Sequence, residues 1–301
     1  MRNKPKLLAA LLVLAAACAS RPAGSEVEER HTTIAGREVV VWSSGPASSP
    51  RPVVIFSHGF GGCATQSRFL TEALARHGYW VLAPNHRDAR CQRGRGLRGA
   101  RARPEEPFRN PERWTDATYA DRAEDVRAIL AALADSAELA QQLDLAQPAL
   151  VGHSLGGYTV LGLAGAWPSW KLPGVRAVLA LSPYTEPFLA SGTLGGLAAP
   201  VMYQGGTRDI GITPALRRPG GAYDASPAPR YFVEFDGAGH FAWTDLNAAA
   251  HDGILHYALA FLDHHVRGGP GTPLTRAIDG VSELRHESGP APGAGAPSPG
   301  R

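Results

Sequence analysis

Short, continuously apolar runs that alternate with amphipathic stretches are the feature that most restricts the fold of this chain. Such runs are typical of parallel strands buried on both faces, and the stretches between them carry apolar residues at helical spacing. Regular alternation of strand and helix favours a parallel sheet with helices on both faces. We therefore predict an α/β fold: a doubly wound, mostly parallel sheet in a single domain. The predicted strands are residues 53–59, 79–86, 148–151, 175–183 and 200–204, with a last strand and its exit loop over 230–240. The predicted helices include 66–77, 119–133 and 252–266.

The length and composition of the chain fit that architecture. Its 301 residues are 44% hydrophobic and 19% charged, which is enough chain to bury one large core. The formal net charge is only +3, so we expect no nucleic-acid partner.

The α/β domain is predicted to occupy residues 31–270 and to start with an antiparallel hairpin around Ala35–Gly36. A polar spacer precedes it at residues 20–30, and the Gly/Pro-rich residues 286–301 are predicted to be disordered. Residues 87–113 are crowded with arginine, glycine and proline and have no apolar period. We predict an exposed loop there, which either lines a site or is a solvated insertion. Its arginines would attract anionic substrates such as phospholipid head groups, or simply keep that surface soluble.

The first 19 residues have the pattern of a bacterial export signal. Basic residues precede an apolar stretch, residues 7–17, that is too short to span a bilayer. It ends in Ala15-Ala16-Ala17-Cys18, which resembles a lipobox although Ala15 stands where leucine is usual. We predict cleavage before Cys18 and lipidation of that cysteine, which would hold the protein on a membrane of the cell envelope. Ordinary cleavage at the A-x-A pattern of residues 17–19 is the alternative and would give a secreted or periplasmic protein.

Two cysteines remain in the exported chain, Cys63 and Cys91. An even pair in an oxidising compartment predicts a disulfide. Two unrelated thiols are the alternative, and a thiol titration of the unreduced protein decides between them.

A Gly-His-Ser-Leu-Gly-Gly sequence, residues 152–157, joins a predicted strand to a predicted helix. A turn this sharp needs small flanking residues, because backbone segments pass close to one another. This is the setting of a nucleophile elbow, in which a strained serine is held at the end of a strand. We therefore predict that Ser154 is a nucleophile, and a tight connection that merely contains a serine is the alternative.

A serine hydroxyl is a poor nucleophile unless a base takes its proton. His240 follows the last predicted strand in a glycine-rich segment and is the predicted base, whereas His153 on the elbow itself would point away from Ser154. Asp209 follows an earlier strand and is the predicted acid that orients the imidazole. Asp236 is the alternative acid, although it lies on the same strand exit as the histidine. The order Ser, Asp, His is that of α/β-hydrolases and not of the two large serine-protease folds.

The tetrahedral intermediate of acyl transfer also needs two preorganised hydrogen-bond donors. The backbone N–H of Leu155, directly after the nucleophile, is predicted to supply one. The glycine-rich loop at residues 57–62 follows an early strand, and the N–H of Phe60 is predicted to supply the other.

Together these residues resemble the α/β-hydrolase superfamily over about residues 53–266. The resemblance is closest to the branch of platelet-activating-factor acetylhydrolases, chlorophyllases, dienelactone hydrolases and bacterial cutinase-type polyester hydrolases. It implies ester hydrolysis through an acyl-enzyme, with no cofactor and no metal. It also implies that Tyr184 walls an acyl pocket where the polyester hydrolases have a stacking tryptophan. Trp243 is a second candidate for lining the substrate site. The resemblance rests on residues 58–62, 152–157, Asp209 and 239–241.

The chain departs from this branch in two respects. The nucleophile is Ser154 where dienelactone hydrolases proper have a cysteine, and the cysteine pair usual near the C-terminus of the polyester hydrolases is missing. We therefore predict a serine esterase acting on small or lipid-like esters, with polyester hydrolysis as an alternative. An amidase or peptidase using the same residues is a second alternative. The non-enzymatic alternative is a surface lipoprotein with an inactive hydrolase fold, which a fluorophosphonate probe would not label.

Overall fold

The computed structural model describes residues 26–45, 50–90 and 103–289, and within them the backbone forms a nine-stranded sheet. The strands are β1 (Val27–Ile34), β2 (Arg37–Ser44), β3 (Arg51–Ser57), β4 (Trp80–Pro84), β5 (Leu143–His153), β6 (Ala177–Leu181), β7 (Val201–Gly206), β8 (Arg230–Phe235) and β9 (Val281–Glu287). Their order across the sheet is β1-β2-β4-β3-β5-β6-β7-β8-β9. Strands β3 to β8 run parallel to one another, whereas β1, β2 and β9 pair antiparallel at the two edges. The sheet is therefore mostly parallel, as predicted.

Helices connect the parallel strands. They are α1 (Arg68–Arg76), α2 (Ala120–Ala134), α3 (Ala137–Gln142), α4 (Leu155–Leu161), α5 (Glu186–Ser191), α6 (Thr213–Arg217), α7 (Ala222–Ala225) and α8 (His251–Arg267). Helix α4 continues into a π-helical turn at Gly162–Ala166, and short 3₁₀ helices lie at Pro111–Arg113, Pro168–Trp170, Leu194–Gly196 and Thr272–Thr275.

Apolar side chains cover the sheet on both faces. Alternate residues of β3 point to opposite faces of the sheet. Val53 and Ile55 pack with α2 and α4 on one face, whereas Val54 and Phe56 pack with α1 and α8 on the other. The continuous apolar run in the sequence follows from this, because neither face of a central strand meets water. The doubly wound arrangement predicted from the sequence is confirmed.

The predicted hairpin is present at the start of the sheet. Ile34 of β1 pairs with Arg37 of β2, so Ala35 and Gly36 form a two-residue turn. Both have positive φ, 50° and 76°, as a type I′ hairpin turn requires. The hairpin is longer than predicted because β1 begins at Val27, inside the predicted spacer of residues 20–30.

The predicted end of the domain at residue 270 is too early. Strand β9 pairs with β8 along its length, and His286, the first residue of the predicted tail, pairs with Tyr231. Both misplaced boundaries have the same physical cause. Strands β1 and β9 are edge strands with polar, partly exposed side chains, so they carry no apolar run that would reveal them.

The arginine-rich stretch is less exposed than predicted where the structure describes it. Its residues 91–102 lie outside the described part. Phe108 is half-buried and packs edge-on against Phe60 and Tyr184, and a 3₁₀ helix follows at Pro111–Arg113. The predicted export signal, Cys18 and most of the predicted tail also lie outside the described residues. Within the described ranges, no helix is long and apolar enough to cross a membrane.

Candidate active site

Ser154 occupies a strained turn between β5 and α4. Its φ and ψ are 56° and −117°, a conformation that residues with a Cβ rarely adopt and that tends to occur at functional sites. The backbone passes so close to β3 here that a Cβ at Gly156 would collide with the carbonyl oxygen of Ser57. The predicted strand-to-helix turn is therefore present, with the geometry of a nucleophile elbow.

His240 meets Ser154 across the end of the sheet. Its Nε2 lies 3.0 Å from Ser154 Oγ, which is hydrogen-bond distance. The other ring nitrogen, Nδ1, lies 3.3 Å from Asp209 Oδ2, and Asp209 is buried. The structure thus brings together three residues that follow β5, β7 and β8. Asp236, the alternative acid, is exposed and accepts a hydrogen bond from Thr207 Oγ1 at 3.1 Å.

Ser182 is a fourth member of this cluster that the sequence reasoning missed. It follows β6 directly, is fully buried and has a positive φ of 42°. Its Oγ lies 2.8 Å from His240 Nδ1 and donates a hydrogen bond to Asp209 Oδ2. The available signal was the one that identified Asp209: a polar residue directly after a buried strand at the carboxyl edge of the sheet.

His153 braces the loop that carries His240 and does not contact the Ser154 hydroxyl. Its Nε2 donates to the carbonyl oxygen of His240 at 2.8 Å, and its Nδ1 lies 3.0 Å from Gln66 Nε2. Burial and the nearby His240 lower the pKa of His153 to about 3, so its ring is neutral at ordinary pH. A neutral ring donates at Nε2 and accepts at Nδ1, which matches both contacts.

The loop after β3 commits the N–H groups on both sides of Phe60 to side-chain acceptors. The N–H of Gly59 donates to Gln66 Oε1 and that of Gly61 to Asp88 Oδ2, both at 3.0 Å. Among the described residues, the N–H groups of Phe60 and Leu155 have no protein acceptor. These are the two N–H groups predicted to bind the oxyanion, and neither is committed to another acceptor there.

A buried ion pair fixes the shape of that loop. Arg122 is fully buried on α2 and binds Asp88 through three contacts of 2.7, 2.8 and 3.1 Å. The same guanidinium donates to the carbonyl oxygen of His58 at 2.8 Å. Burial alone would raise the pKa of Asp88, but the charge and hydrogen bonds of Arg122 outweigh it and lower the pKa to about 2. The pair was not predicted, and its signal was a lone arginine near the apolar face of a predicted helix.

A second serine, histidine and aspartate lie in line beneath the same loop. Ser57 Oγ is 2.9 Å from His86 Nε2, and His86 Nδ1 is 2.9 Å from Asp125 Oδ2. Ser57 and the His86 side chain have no solvent exposure. Burial lowers the pKa of His86 well below its ordinary value and raises that of Asp125. No substrate can reach this array, so it serves as a scaffold.

Trp243 does not line the site, which corrects one prediction. Its ring is fully buried in the layer of α8, and its Nε1 donates to Gln204 Oε1 at 3.0 Å. Tyr184 lies beside the elbow, where its N–H donates to the carbonyl oxygen of Ser154 at 3.1 Å. Its hydroxyl donates to the carbonyl oxygen of Phe108 at 2.6 Å, the Phe108 ring packs edge-on against its ring, and the Tyr184 side chain is buried.

The predicted cysteine pair falls only partly within the described residues. Cys63 is buried, and the N–H of Arg90 donates to the carbonyl oxygen of Gly62 at 3.0 Å. This contact brings the residues that precede Cys63 and Cys91 together, but Cys91 lies outside the described part and the bridge stays a prediction. In that part, no group of three or more His, Cys, Asp or Glu side chains is arranged to hold a metal ion.

Comparison with known proteins gives one family. The model of a family described as "Alpha/beta hydrolase family" matches residues 54–291, which include every described residue of the site. No curated protein matches the chain.

Proposed function

We propose, from the premise that this chain belongs to the alpha/beta hydrolase family, that it is a serine hydrolase of carboxylic esters. The family indicates a hydrolase. The observation that carries the finer proposal is the contact of 3.0 Å between His240 Nε2 and Ser154 Oγ, made by a serine whose backbone is held in a strained turn. A nucleophile within hydrogen-bond reach of a base, and a base oriented by a third group, is the arrangement that activates a serine.

In the proposed reaction, Ser154 Oγ attacks the carbonyl carbon of the ester while His240 Nε2 takes the hydroxyl proton. The carbonyl oxygen becomes an anion. The uncommitted N–H groups of Phe60 and Leu155 stabilise it, because donors that are already in place need no reorganisation as the charge forms. The negative charge of Asp209 stabilises the imidazolium that results.

The tetrahedral intermediate then breaks at the bond to the alcohol. His240 donates its proton to the departing alkoxide oxygen, which leaves an acyl group on Ser154. Water repeats the sequence: His240 takes a proton from water as it attacks the acyl carbon, and the proton returns to Ser154 Oγ when the acid leaves. Every proton removed is returned, so the cycle consumes one ester and one water.

The experiment is hydrolysis of short p-nitrophenyl esters by the purified protein and by Ser154→Ala. We expect the variant to lose at least about 1,000-fold in kcat. Ser191→Ala, an exposed serine at the end of α5, is the matched control and should keep the parental rate. Activity retained in Ser154→Ala removes that residue from the mechanism.

Labelling by a fluorophosphonate separates the proposal from an inactive hydrolase fold. The parent should be labelled and Ser154→Ala should not, since the probe captures an activated serine. An unlabelled, folded parent would favour the non-enzymatic alternative. Faster hydrolysis of anilides than of matched esters would instead favour the amidase or peptidase.

The acyl and alcohol groups of the substrate are proposed only as a class. Phe108 is only half-buried and packs edge-on against Phe60 and against the buried ring of Tyr184, and an apolar acyl chain would pack against its exposed part. We propose small or lipid-like esters, which a series graded by chain length tests. Release of acid from a polyester film would favour the polyester alternative.

Export with lipidation at Cys18 is also a proposal, supported by the basic and apolar pattern of residues 1–19. Mass spectrometry of the mature protein should find an N-terminal Cys18 that carries acyl chains. Cys18→Ala should then release the protein from the membrane fraction. An unmodified N-terminus beyond Cys18 would favour ordinary signal cleavage.

A further inference from the structure

Ser182 stands between the two groups that the proposed mechanism pairs. Its Oγ is 2.8 Å from His240 Nδ1, whereas Asp209 Oδ2 is 3.3 Å from the same nitrogen. N–H···O hydrogen bonds are most often 2.9–3.0 Å long, so the hydroxyl is the closer partner of the imidazole. Ser182 also donates to Asp209 Oδ2.

The available hydrogens allow one arrangement of these contacts. An ionised carboxylate only accepts hydrogen bonds, so the Ser182 hydroxyl hydrogen points to Asp209. The Ser182 oxygen then has lone pairs to offer and accepts the hydrogen on His240 Nδ1. A neutral imidazole with its hydrogen on Nδ1 has its lone pair on Nε2, which faces Ser154. The hydroxyl group thus selects the ring tautomer that can take a proton from Ser154.

The backbone at Ser182 supports a positioning role. Its φ of 42° lies in the left-handed region, where a residue with a Cβ is strained and glycine is not. Its N–H donates to the carbonyl oxygen of Gln204 on β7 at 2.7 Å, which continues the β6–β7 pairing into the turn. A strained, fully buried serine persists when its surroundings determine its conformation, and here they direct Oγ into the gap between the imidazole and the carboxylate.

We propose that Ser182 is a positioning residue of this site, through which Asp209 orients His240. This inference rests on the proposed function of Ser154 and His240. His153 holds the backbone of His240, and Ser182 holds its ring at Nδ1. The carboxylate therefore acts on the imidazole mainly through the hydroxyl group.

The test uses Ser182→Ala and Ser182→Gly with the p-nitrophenyl ester that the parent hydrolyses best. Alanine removes only the hydroxyl, whereas glycine removes the hydroxyl and accepts the positive φ, so it folds even where alanine is strained. We expect kcat to fall about 10- to 100-fold in both variants, with KM changed less than about twofold. A general loss of structure would lower the melting temperature and change KM as well.

A double-mutant cycle with Asp209→Asn asks whether the two residues act as a unit. If Asp209 acts through Ser182, then adding Ser182→Ala to Asp209→Asn should lower kcat by less than about threefold. The reason is that Asp209→Asn has already removed the carboxylate charge that the Ser182 hydroxyl conveys to the imidazole. The same loss in both backgrounds overturns the proposal. So does a kcat within twofold of the parent in both Ser182 variants.

These outcomes separate this inference from the proposed function. Esterase activity that survives Ser154→Ala contradicts the proposed function itself. Activity that is lost in Ser154→Ala and unchanged in both Ser182 variants contradicts only the role of Ser182.

Discussion

His153 and His240 are joined by a hydrogen bond of 2.8 Å from a ring nitrogen of the first to the backbone carbonyl of the second. The elbow that holds Ser154 therefore also fixes the loop that carries the proposed base. Gln66 extends the link, since it contacts the ring of His153 and the N–H of Gly59. One neutral imidazole thus links the turn at Ser154, the loop that carries His240 and the loop at residues 57–62.

We predict that His153→Leu lowers kcat about 10-fold while the protein stays folded at neutral pH. Leucine fills much of the space but makes neither hydrogen bond, so the loop that carries His240 loses an anchor. Ester hydrolysis by the purified variant measures the effect. His31→Leu, an exposed histidine on β1, is the control, and an equal change in both variants would count against the bracing role.

We predict that the fold loses stability in acid through its buried neutral histidines. Burial lowers the pKa of His153 to about 3 and those of His58 and His86 well below the ordinary value. An unfolded histidine gains its proton near pH 6.5, so below that pH the unfolded state binds protons that the folded state refuses. The free energy of unfolding is therefore highest above about pH 6.5 and falls by about 1.4 kcal/mol per pH unit for each such histidine.

Urea unfolding at pH 7.5 and pH 5.0 measures this dependence. For His153 alone the loss between pH 6.5 and pH 5 is about 2 kcal/mol. His153→Leu should remove that share, so its stability should fall less than that of the parent over the same interval. Identical pH dependence in the two proteins would show that His153 is not the group responsible.

We predict that Asp88→Asn destabilises the protein by about 3–5 kcal/mol. The change leaves the Arg122 guanidinium buried without its counter-charge, and an uncompensated buried charge is costly. It also weakens the acceptor of the Gly61 N–H, so the variant that remains folded should hydrolyse esters more slowly. Glu124→Gln on the exposed side of α2 is the control for charge removal and should change stability by less than about 0.5 kcal/mol. A neutral outcome for Asp88→Asn would mean that the pair does not support the loop.

We predict that Gly156→Ala destabilises the protein by about 3 kcal/mol, because its Cβ would meet the backbone carbonyl of Ser57. Gly195→Ala is the matched control, since a Cβ there meets nothing within 4 Å. Thermal unfolding of both variants gives the comparison. If both variants melt at the parental temperature, α4 does not approach β3 as closely at Gly156 as the structure indicates.

The centre of the sheet could be predicted from the sequence, whereas its edges could not. A strand buried on both faces must be apolar throughout, and that pattern identified the strands that lead to Ser154 and Asp209. Strand β9 carries Ser282, Glu283 and Arg285 among its residues, and nothing in such a run distinguishes an edge strand from a polar loop.

Residues of the candidate site could be identified where a motif or a strand end marks them, although Ser182 was missed in such a position. Residues that only packing brings to the site could not be identified. Ser154 stands in a recognisable turn, and His240 and Asp209 follow apolar strands. Arg122 and Gln66 lie in or beside ordinary helical sequence, and their role depends on which loop the fold places above them. The prediction that Trp243 lines the site was wrong because closeness in sequence does not fix where a side chain points. Trp243 is close to His240 in sequence, but its side chain lies in the core.

The buried line of Ser57, His86 and Asp125 repeats the serine, histidine and aspartate contacts of the candidate site. The two arrays therefore differ less in arrangement than in exposure. Only one of them opens to solvent, so access is the criterion that separates them. An electrophile should accordingly find one serine in this protein and leave its interior counterpart unmodified.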